Sequence, residues 1–310
     1  MYNVFIDGKE GTTGLQIFDR LKVHNKVNVM TLPEEKRKDI KERAKYLNEA
    51  DLCFLCLPDD AAREAVTLIT NPNVKVIDAS TAHRTNPDWV YGLPEISDVR
   101  REEISKSRRV ANPGCHATGV ISIVAPLVKS GILSPDYPLT VHSVTGYSGA
   151  GKKTIAVYES DKRDKALDSP RQYALGLNHK HLPEIVRECG LKSNPIFNPI
   201  ISDFYSGMCV SVPIFTRLIS KKYTVNALIE FYAEYYAKQN FIKVSNISEV
   251  PQFLAANELS GTNDLKIYIN GNDEQIIIAA VFDNLGKGAS GAAVQNMNIM
   301  FGFDETLSLK

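Results

Sequence analysis

The 310-residue sequence predicts two α/β units in series. The first is a doubly wound, parallel α/β unit, and the second is an α+β unit built on a mixed or antiparallel sheet. Three observations lead there. Strand-like and helix-like segments alternate four times within residues 2–80. A glycine-rich turn sits directly after the first strand. The rhythm changes near residue 115, where long strand-like runs with few crossover helices begin. Regular alternation is the mark of a parallel sheet covered on both faces, whereas runs of strands point to antiparallel or mixed pairing. The length suits two domains at roughly 100–200 residues each.

The elements follow in order. "YNVFID" (2–7) is a short apolar strand, "GKEGTTG" (8–14) the turn, and "LQIFDRLKVH" (15–24) has helical spacing. "KVNVMTL" (26–32) is a second strand, and residues 34–49 form a charged helix. "DLCFLCLP" (51–58) is a buried strand, followed by a helix at 59–70 with two acids in its first turn. "VKVIDAS" (74–80) is the fourth strand. After the break, "TGVISIVAPLVKSG" (118–131) is an apolar helix. Strands are expected at 138–146, 195–202, 207–216, 241–246, 264–270 and 275–282, with helices near 151–165, 183–190 and 224–238. "GASGAAVQNMNIMFGF" (288–303) is a helix rich in small residues.

The turn "IDGKEGTTG" places Gly8, Gly11 and Gly14 at G-x-x-G-x-x-G spacing, with Thr12 and Thr13 between the last two. A phosphate-binding turn needs positive φ and close backbone approach, which glycine provides without a steric penalty. The helix that follows aims its first N–H groups at a pyrophosphate. A dinucleotide is therefore expected here. NAD-binding units place an acid at the tip of the second strand to hold the ribose 2′-hydroxyl. This strand ends at Thr31, and Lys36, Arg37 and Lys38 follow. That favours NADP(H), with Arg37 and Lys38 reading its 2′-phosphate; the competing reading of the run is a solvated helix face.

"NPGCHATG" (112–119) sets Cys115 at the mouth of the apolar helix. A cysteine kept for packing belongs inside such a run. At a helix N-terminus the dipole favours thiolate, and the first-turn N–H groups can hold an oxyanion. Cys115 is thus the expected nucleophile. His116 is adjacent but projects about a third of a turn away. "LNHKHLPEI" (177–185) offers a better base: Pro183 opens a helix, and His179 and His181 lie in the segment feeding it, two apart and so on one side if extended. The same H-x-H is a familiar metal pattern, but no third ligand stands out, so no metal is expected. His24, His83 and His142 are read as structural or peripheral, and the C-x-x-C of Cys53 and Cys56 as part of a buried strand. Two loops look built for anions. "TGYSGAGKKT" (145–154) ends a strand in small residues and two lysines, and "DASTAHR" (78–84) places Arg84 after the fourth strand.

Composition narrows the function further. Thirty-six basic residues balance thirty-six acidic ones, so nothing in the overall charge calls for nucleic acid or an anionic membrane. No apolar run approaches the ~18 residues of a membrane span, and the N-terminus lacks a signal-peptide pattern. Five thinly spread cysteines argue against a disulfide framework and for a reducing, cytoplasmic setting.

Taken together, "GKEGTTG", "DASTAHR", "YGLPEI", "NPGCHATG", "SGAGKKT", "NHKHLPEI" and "NLGKGASGAAVQNMN" occur in an order that resembles the N-acetyl-γ-glutamyl-phosphate reductase family in its shorter form, within the aspartate-semialdehyde dehydrogenase group. The resemblance spans nearly the whole chain. It implies a Rossmann-type NADP-binding domain over 1–114, completed by a C-terminal helix at 287–310. It also implies a substrate and dimerisation domain over 115–286, in a homodimer or homotetramer. The implied reaction is NADPH-dependent reduction of an acyl phosphate, N-acetylglutamyl 5-phosphate, to the semialdehyde through a cysteinyl thioester. By the same resemblance His181, with His179 beside it, is the acid/base. Ser148, Gly149 and Gly151 line the substrate, Arg84 lies near its phosphate, and Asn284 lies near the nicotinamide. Competing readings are a sister reductase acting on aspartyl or N-acetyl-aminoadipyl phosphate, a cysteine hydrolase, and a silent NADP-binding sensor.

Overall fold

The structure, a computed structural model, describes residues 1–37, 39–220 and 223–309. In chain order its strands and helices are β1 (Tyr2–Asp7), α1 (Thr12–Lys22), β2 (Val27–Met30), α2 (Ile40–Glu49), β3 (Leu52–Leu55), α3 (Asp59–Leu68), β4 (Lys75–Asp78), β5 (Val90–Tyr91), α4 (Asp98–Lys106) and β6 (Arg109–Ala111). They continue with α5 (Cys115–Lys129), β7 (Thr140–Gly146), α6 (Lys152–Tyr158), β8 (Arg171–Gln172), α7 (Leu182–Cys189), β9 (Ile196–Ser202) and β10 (Met208–Phe215). The last are α8 (Val225–Tyr235), β11 (Ile242–Val244), β12 (Leu265–Gly271), β13 (Gln275–Phe282) and α9 (Gly291–Phe301). The chain divides into two compact units: Met1–Gly114 together with the segment from Ala289 onward, and Cys115–Gly288.

In the first unit, six parallel strands lie in the order β2-β1-β3-β4-β6-β5. Strands buried on both faces read as continuous apolar runs, and all four residues of β3 are buried. Phe5, Leu47, Cys53, Leu55, Val76 and Trp89 belong to one core cluster. The sequence shows only four of these strands. β5 and β6 span two and three residues, too short to leave a periodic signature.

In the second unit, seven strands follow the order β11-β12-β13-β10-β7-β9-β8. β7 pairs with β9 and β11 with β12 in parallel, and the remaining pairs are antiparallel, so the sheet is mixed. β10 alternates strictly: Met208, Val210, Val212 and Ile214 are buried, while Cys209, Ser211 and Pro213 are half-buried and Phe215 is exposed. The buried side faces α5, a helix enclosed on nearly every side from His116 to Leu127. Enclosure all round is what an apolar helix without a polar stripe predicts. On the opposite side, Val250, Leu254 and Leu259 pack on Tyr268, Ala279 and Val281. Phe215, Ile277 and Ile196 are left between 44% and 52% exposed.

Some elements are shorter than the sequence suggests. The helix expected near 151–165 stops at Tyr158. Beyond it Arg163 is fixed by Asp168 and Asp203, each at 2.6 Å, and Asp164 caps a short 3₁₀ turn. Such side chains compete with helical bonding. The C-terminal helix begins as a π-turn at Gly286–Ser290 before α9.

Close packing of α5 on the sheet requires Gly119. A Cβ there would lie 2.5 Å from Val210 Cγ2 and 2.9 Å from Phe282 Cε1. Gly119→Ala is expected to cost about 1–3 kcal/mol in urea unfolding. Gly176→Ala, where a Cβ meets nothing within 4 Å, should stay near neutral.

Candidate active site

Topology brings the chemistry together. α5 runs back to start β7, and α7 runs back to start β9. Because β7 and β9 are parallel, both helix N-termini lie at the same end of the sheet, outside the strand carboxyl ends. α5 and α7 pack side by side. Cys115 is the first residue of α5, and His181 is the residue immediately before α7. The turn carrying Ser148, Gly149 and Gly151 leaves β7 at that same end.

Cys115 is half-buried, and none of the five cysteines is in a disulfide. Its setting is tight: a Cβ on Gly288 would lie 3.0 Å from Cys115 Cβ. The His179 and His181 rings meet edge to face at 4.7 Å between centroids. The segment carrying them is a turn and not extended, because Leu182 N–H bonds His179 C=O at 3.0 Å and His181 N–H donates to His179 Nδ1 at 3.2 Å. Pro183 in the first turn of α7 fixes where that turn must close.

His116, set aside in the sequence as a base, lies beside the pair. Its ring lies 5.4 Å from His179 and 5.6 Å from His181. It is buried, with Nδ1 2.6 Å from Ser143 Oγ and Nε2 2.7 Å from the Tyr173 hydroxyl. Burial, with His179 and Lys180 adding to it, pushes its pKa down to about 3. The imidazole is therefore neutral at any physiological pH. Tyr173 was not singled out in the sequence. Burial and the nearby Cys115 both push its phenol pKa up. Despite three clustered imidazoles, no group of three or more His, Cys, Asp or Glu side chains among the described residues is arranged to hold a metal.

Ser148 is buried and accepts a hydrogen bond from Asn284 Nδ2 at 3.0 Å, while Asn284 Oδ1 accepts from Gly207 N–H at 2.8 Å. Asn284 thus braces the Ser148 turn. Gly151, at φ +84°, has open space where a Cβ would stand. Arg84 departs from the expected grip on phosphate. It is buried, with Nε on the Asn112 carbonyl at 2.9 Å and Nη2 on the Ala79 carbonyl at 3.1 Å. Those contacts make it a strut for the chain three residues before Cys115. Its neighbour His83 pairs with buried Asp78 at 2.6 Å and stacks on Trp89.

The glycine turn forms a cradle. At Gly8 (φ +85°) a Cβ would lie 2.3 Å from Cys56 C=O, and at Gly14 it would lie 2.6 Å from Gly8 C=O. Gly11 is the N-cap of α1, and it supplies no side-chain cap. The first turn of α1 carries no acid, and Thr12 Oγ1 is buried without a hydrogen-bond partner. An uncapped helix start with an unspent hydroxyl fits a dinucleotide pyrophosphate. Behind it, Asp7 at the end of β1 is paired with Arg43 at 2.9 Å. Thr31 and Arg37 are exposed, Lys36 is engaged with Glu42 at 3.0 Å, and Lys38 lies outside the described residues. Cys53 is buried and Cys56 half-buried, and burial pushes both thiol pKa values up.

Residues 3–107 match the semialdehyde dehydrogenase NAD-binding domain, and residues 115–284 match the semialdehyde dehydrogenase dimerisation domain. An N-acetyl-gamma-glutamyl-phosphate reductase of Burkholderia cenocepacia is 47% identical over 305 residues, covering 96% of this chain and 97% of that protein. The chain belongs to the N-acetyl-gamma-glutamyl-phosphate reductase family. Another relative so named, from Nostoc, is 43% identical over 99% of this chain and 98% of its own length. Among solved structures, an aspartate semialdehyde dehydrogenase II of Vibrio cholerae aligns with a TM-score of 0.70 at 15% identity, covering 97% of this chain and 98% of its own. A probable aspartate-semialdehyde dehydrogenase of Pseudomonas aeruginosa gives 0.73 at 14%, with the same coverage of both chains. Those two likenesses carry the fold: a parallel Rossmann-type sheet and a second, mixed sheet.

The buried His116 makes stability depend on pH. Its folded pKa of about 3 lies below the ordinary 6.5, so its contribution is complete above pH 6.5 and is lost as pH falls toward 3. In urea melts, the stability advantage of the native chain over His116→Gln should shrink by about 2 kcal/mol between pH 6.5 and pH 5.

Proposed function

We propose that this chain performs the NADPH-dependent reduction of N-acetylglutamyl 5-phosphate to N-acetylglutamate 5-semialdehyde, with release of phosphate, in arginine biosynthesis. The observation that carries the reading is Cys115 at the start of a buried helix, next to His116, whose ring lies within 6 Å of both histidines of the turn before α7, in a chain 43–47% identical to relatives of that name.

The chemistry follows from the residues. The helix N-terminus stabilises the Cys115 thiolate. The sulfur attacks the acyl carbon, the carbon–oxygen bond to phosphate breaks, and a thioester remains on Cys115. NADPH, bound at the Gly8–Gly14 turn with Thr12 and Thr13, supplies the hydride. The thioester carbonyl becomes the alkoxide of a thiohemiacetal, which first-turn N–H groups of α5 can hold. His181, with His179 beside it, gives a proton to that oxygen and takes it back as the carbon–sulfur bond breaks to leave aldehyde and thiolate. Neutral His116 cannot serve as that acid. Ser148, Gly149 and Gly151 line the substrate in this reading. Asn284 lies near the nicotinamide and braces Ser148, Arg84 acts through the Asn112 turn, and Arg37 reads the 2′-phosphate.

The decisive assay runs the reaction backwards. N-acetylglutamate semialdehyde, phosphate and NADP⁺ should yield NADPH, and the rate should vanish without phosphate or in Cys115→Ala. His181→Asn should lower kcat at least a hundredfold, within the usual range for loss of an acid/base. Turnover with aspartate semialdehyde or the aminoadipate homologue alone would move the enzyme to a sister reaction. Retained turnover in Cys115→Ala would overturn the thioester route.

The enzyme works as a homodimer or a homotetramer in the cytoplasm, with the open face of the second sheet as subunit contact. Exposed Phe215 and Ile277 on that face, together with the match to a dimerisation domain, support this. The native chain should sediment as a dimer or larger, and Ile277→Lys should shift it toward monomer. A native monomer would sink the assignment.

A further inference from the structure

Arg171 opens β8 at the edge of the second sheet, and it is half-buried. Its Nε is sealed from solvent and has no hydrogen-bond partner. Its Nη2 donates to the Tyr158 hydroxyl at 2.8 Å, and the guanidinium carbon lies 5.4 Å from the centre of that ring. Among the described residues it has no acidic partner. Arg163 supplies the contrast. It also reaches Tyr158, through the carbonyl at 3.2 Å, but it is spent on Asp168 and Asp203. A cation whose Nε–H is sealed and unspent costs stability unless an anion meets it. Nε–H and the adjoining Nη–H point the same way, and that fork matches a carboxylate.

Strand register sets where the fork lies. Arg171 is opposite Ile201, and Ile201 is beside Thr145 of β7. Two residues back along β7, Ser143 is beside Pro199, whose carbonyl accepts from Tyr173 N–H. Ser143 and Tyr173 both bond His116, so their row faces α5. Side chains two apart in a strand share a face. The row of Thr145, Ile201 and Arg171 therefore faces α5 too, about 6.6 Å nearer the end of β7 at which α5 begins. A Cβ on Gly149 would lie 3.7 Å from Thr145 Oγ1, and Tyr147 stacks on Tyr158 at 4.6 Å. The Ser148 turn thus connects to Arg171 through Tyr147 and Tyr158.

We propose that Arg171 grips the α-carboxylate of the N-acetylglutamyl substrate and so selects for it. The substrate has two anionic ends. Its phosphate is bonded to the carbon that Cys115 attacks, so it stays with α5, which packs on β10 and β13. β8 lies past β7 and β9 from there, each strand spacing adding about 4.8 Å. That offset separates Arg171 from the reacting carbon. The α-carboxylate, at the other end of a five-carbon chain, spans it together with the arginine side chain. It gives the sealed Nε–H an acceptor and holds the acyl end toward Cys115. No bond is made or broken at Arg171. The inference rests on the functional reading above.

The test pairs the residue with the charge it reads. In the reverse assay the native chain receives N-acetylglutamate semialdehyde as the free acid and as its α-carboxamide. The amide should lower kcat/KM about a hundredfold, the scale of a bidentate charge-assisted pair. Arg171→Gln should lose about as much with the acid and almost nothing further with the amide, and its KM for phosphate should be unmoved. Arg171→Lys, which keeps the charge without the fork, should recover part of the loss with the acid. Equal turnover of acid and amide by the native chain would overturn the proposal, even if the variants fail to fold. So would an undiminished loss on the amide in Arg171→Gln, or an effect confined to the phosphate KM. Turnover with aspartate semialdehyde or the aminoadipate homologue alone would defeat the functional reading instead. Each of those carries an α-carboxylate, so its own acid and amide would still decide the role of Arg171.

Discussion

The parallel pairing of β7 with β9 is the constraint on which the site depends. A parallel pair requires a crossover, and here the crossover contains α7. α5 feeds β7 in the same sense. Two helices that return to start parallel strands present their N-termini at one end of the sheet. Cys115 and His181 occupy those two starts, although sixty-six positions separate them in the chain. The β7 exit supplies the third part, the Ser148 turn, held by Asn284 from the chain just after β13. Were β9 antiparallel to β7, the histidines would be carried to the opposite end. The register Thr140↔Ile196 through Gly146↔Ser202 is thus a catalytic feature as much as a structural one.

The first unit is organised by a different device. Its C-terminal helix carries buried amides on a face where apolar residues would be expected. Asn296 donates to the Gly92 carbonyl and to Asn112 Oδ1, Gln295 donates to Glu95 and Glu305, and Asn298 donates to the Glu305 and Leu307 carbonyls. Asn112 Nδ2 in turn donates to the Ala289 carbonyl. Asn296 Oδ1 is buried without a partner, but the NH2 groups of all three amides are spent on directed bonds, which fix the helix register more stringently than packing alone. "AVQNMN" therefore reads as architecture. It holds Asn112, and Arg84 holds the same residue from the other side through its carbonyl.

Legibility in the sequence followed the range of the interactions. β1, α1 and the glycine turn were readable because phosphate binding is a local demand on consecutive residues. The place of Cys115 at a helix start was readable because Pro113 and Gly114 break the chain just before it. His179 and His181 were readable as a pair, but their geometry was not: an extended segment was expected, and Pro183 forces a turn. Long-range partners left little trace. Tyr173 and Ser143 meet through His116 across thirty positions of sequence. Nothing in "RQYALG" or "TVHSVTG" marks the residue that faces inward. His116 was set aside as a base, and its closeness to the other two imidazoles could not be seen. Its side chain does leave Cys115 at about a third of a turn, but the 171–181 segment lies on the side to which it turns. Arg84 was expected near a phosphate; its Nε and Nη2 lie on backbone carbonyls, which a guanidinium suits as well as phosphate.

Three imidazoles within 6 Å of one another pose an electrostatic problem, and the fold takes one of them out of it. If all three could protonate, each would oppose the others. His116 is enclosed and held between Ser143 and Tyr173, so it never takes a proton at physiological pH. That removes one positive charge from the neighbourhood of the pair at the start of α7. Hydrogen bonding at both ring nitrogens thus sets one member of a cluster of like groups apart as a neutral dipole.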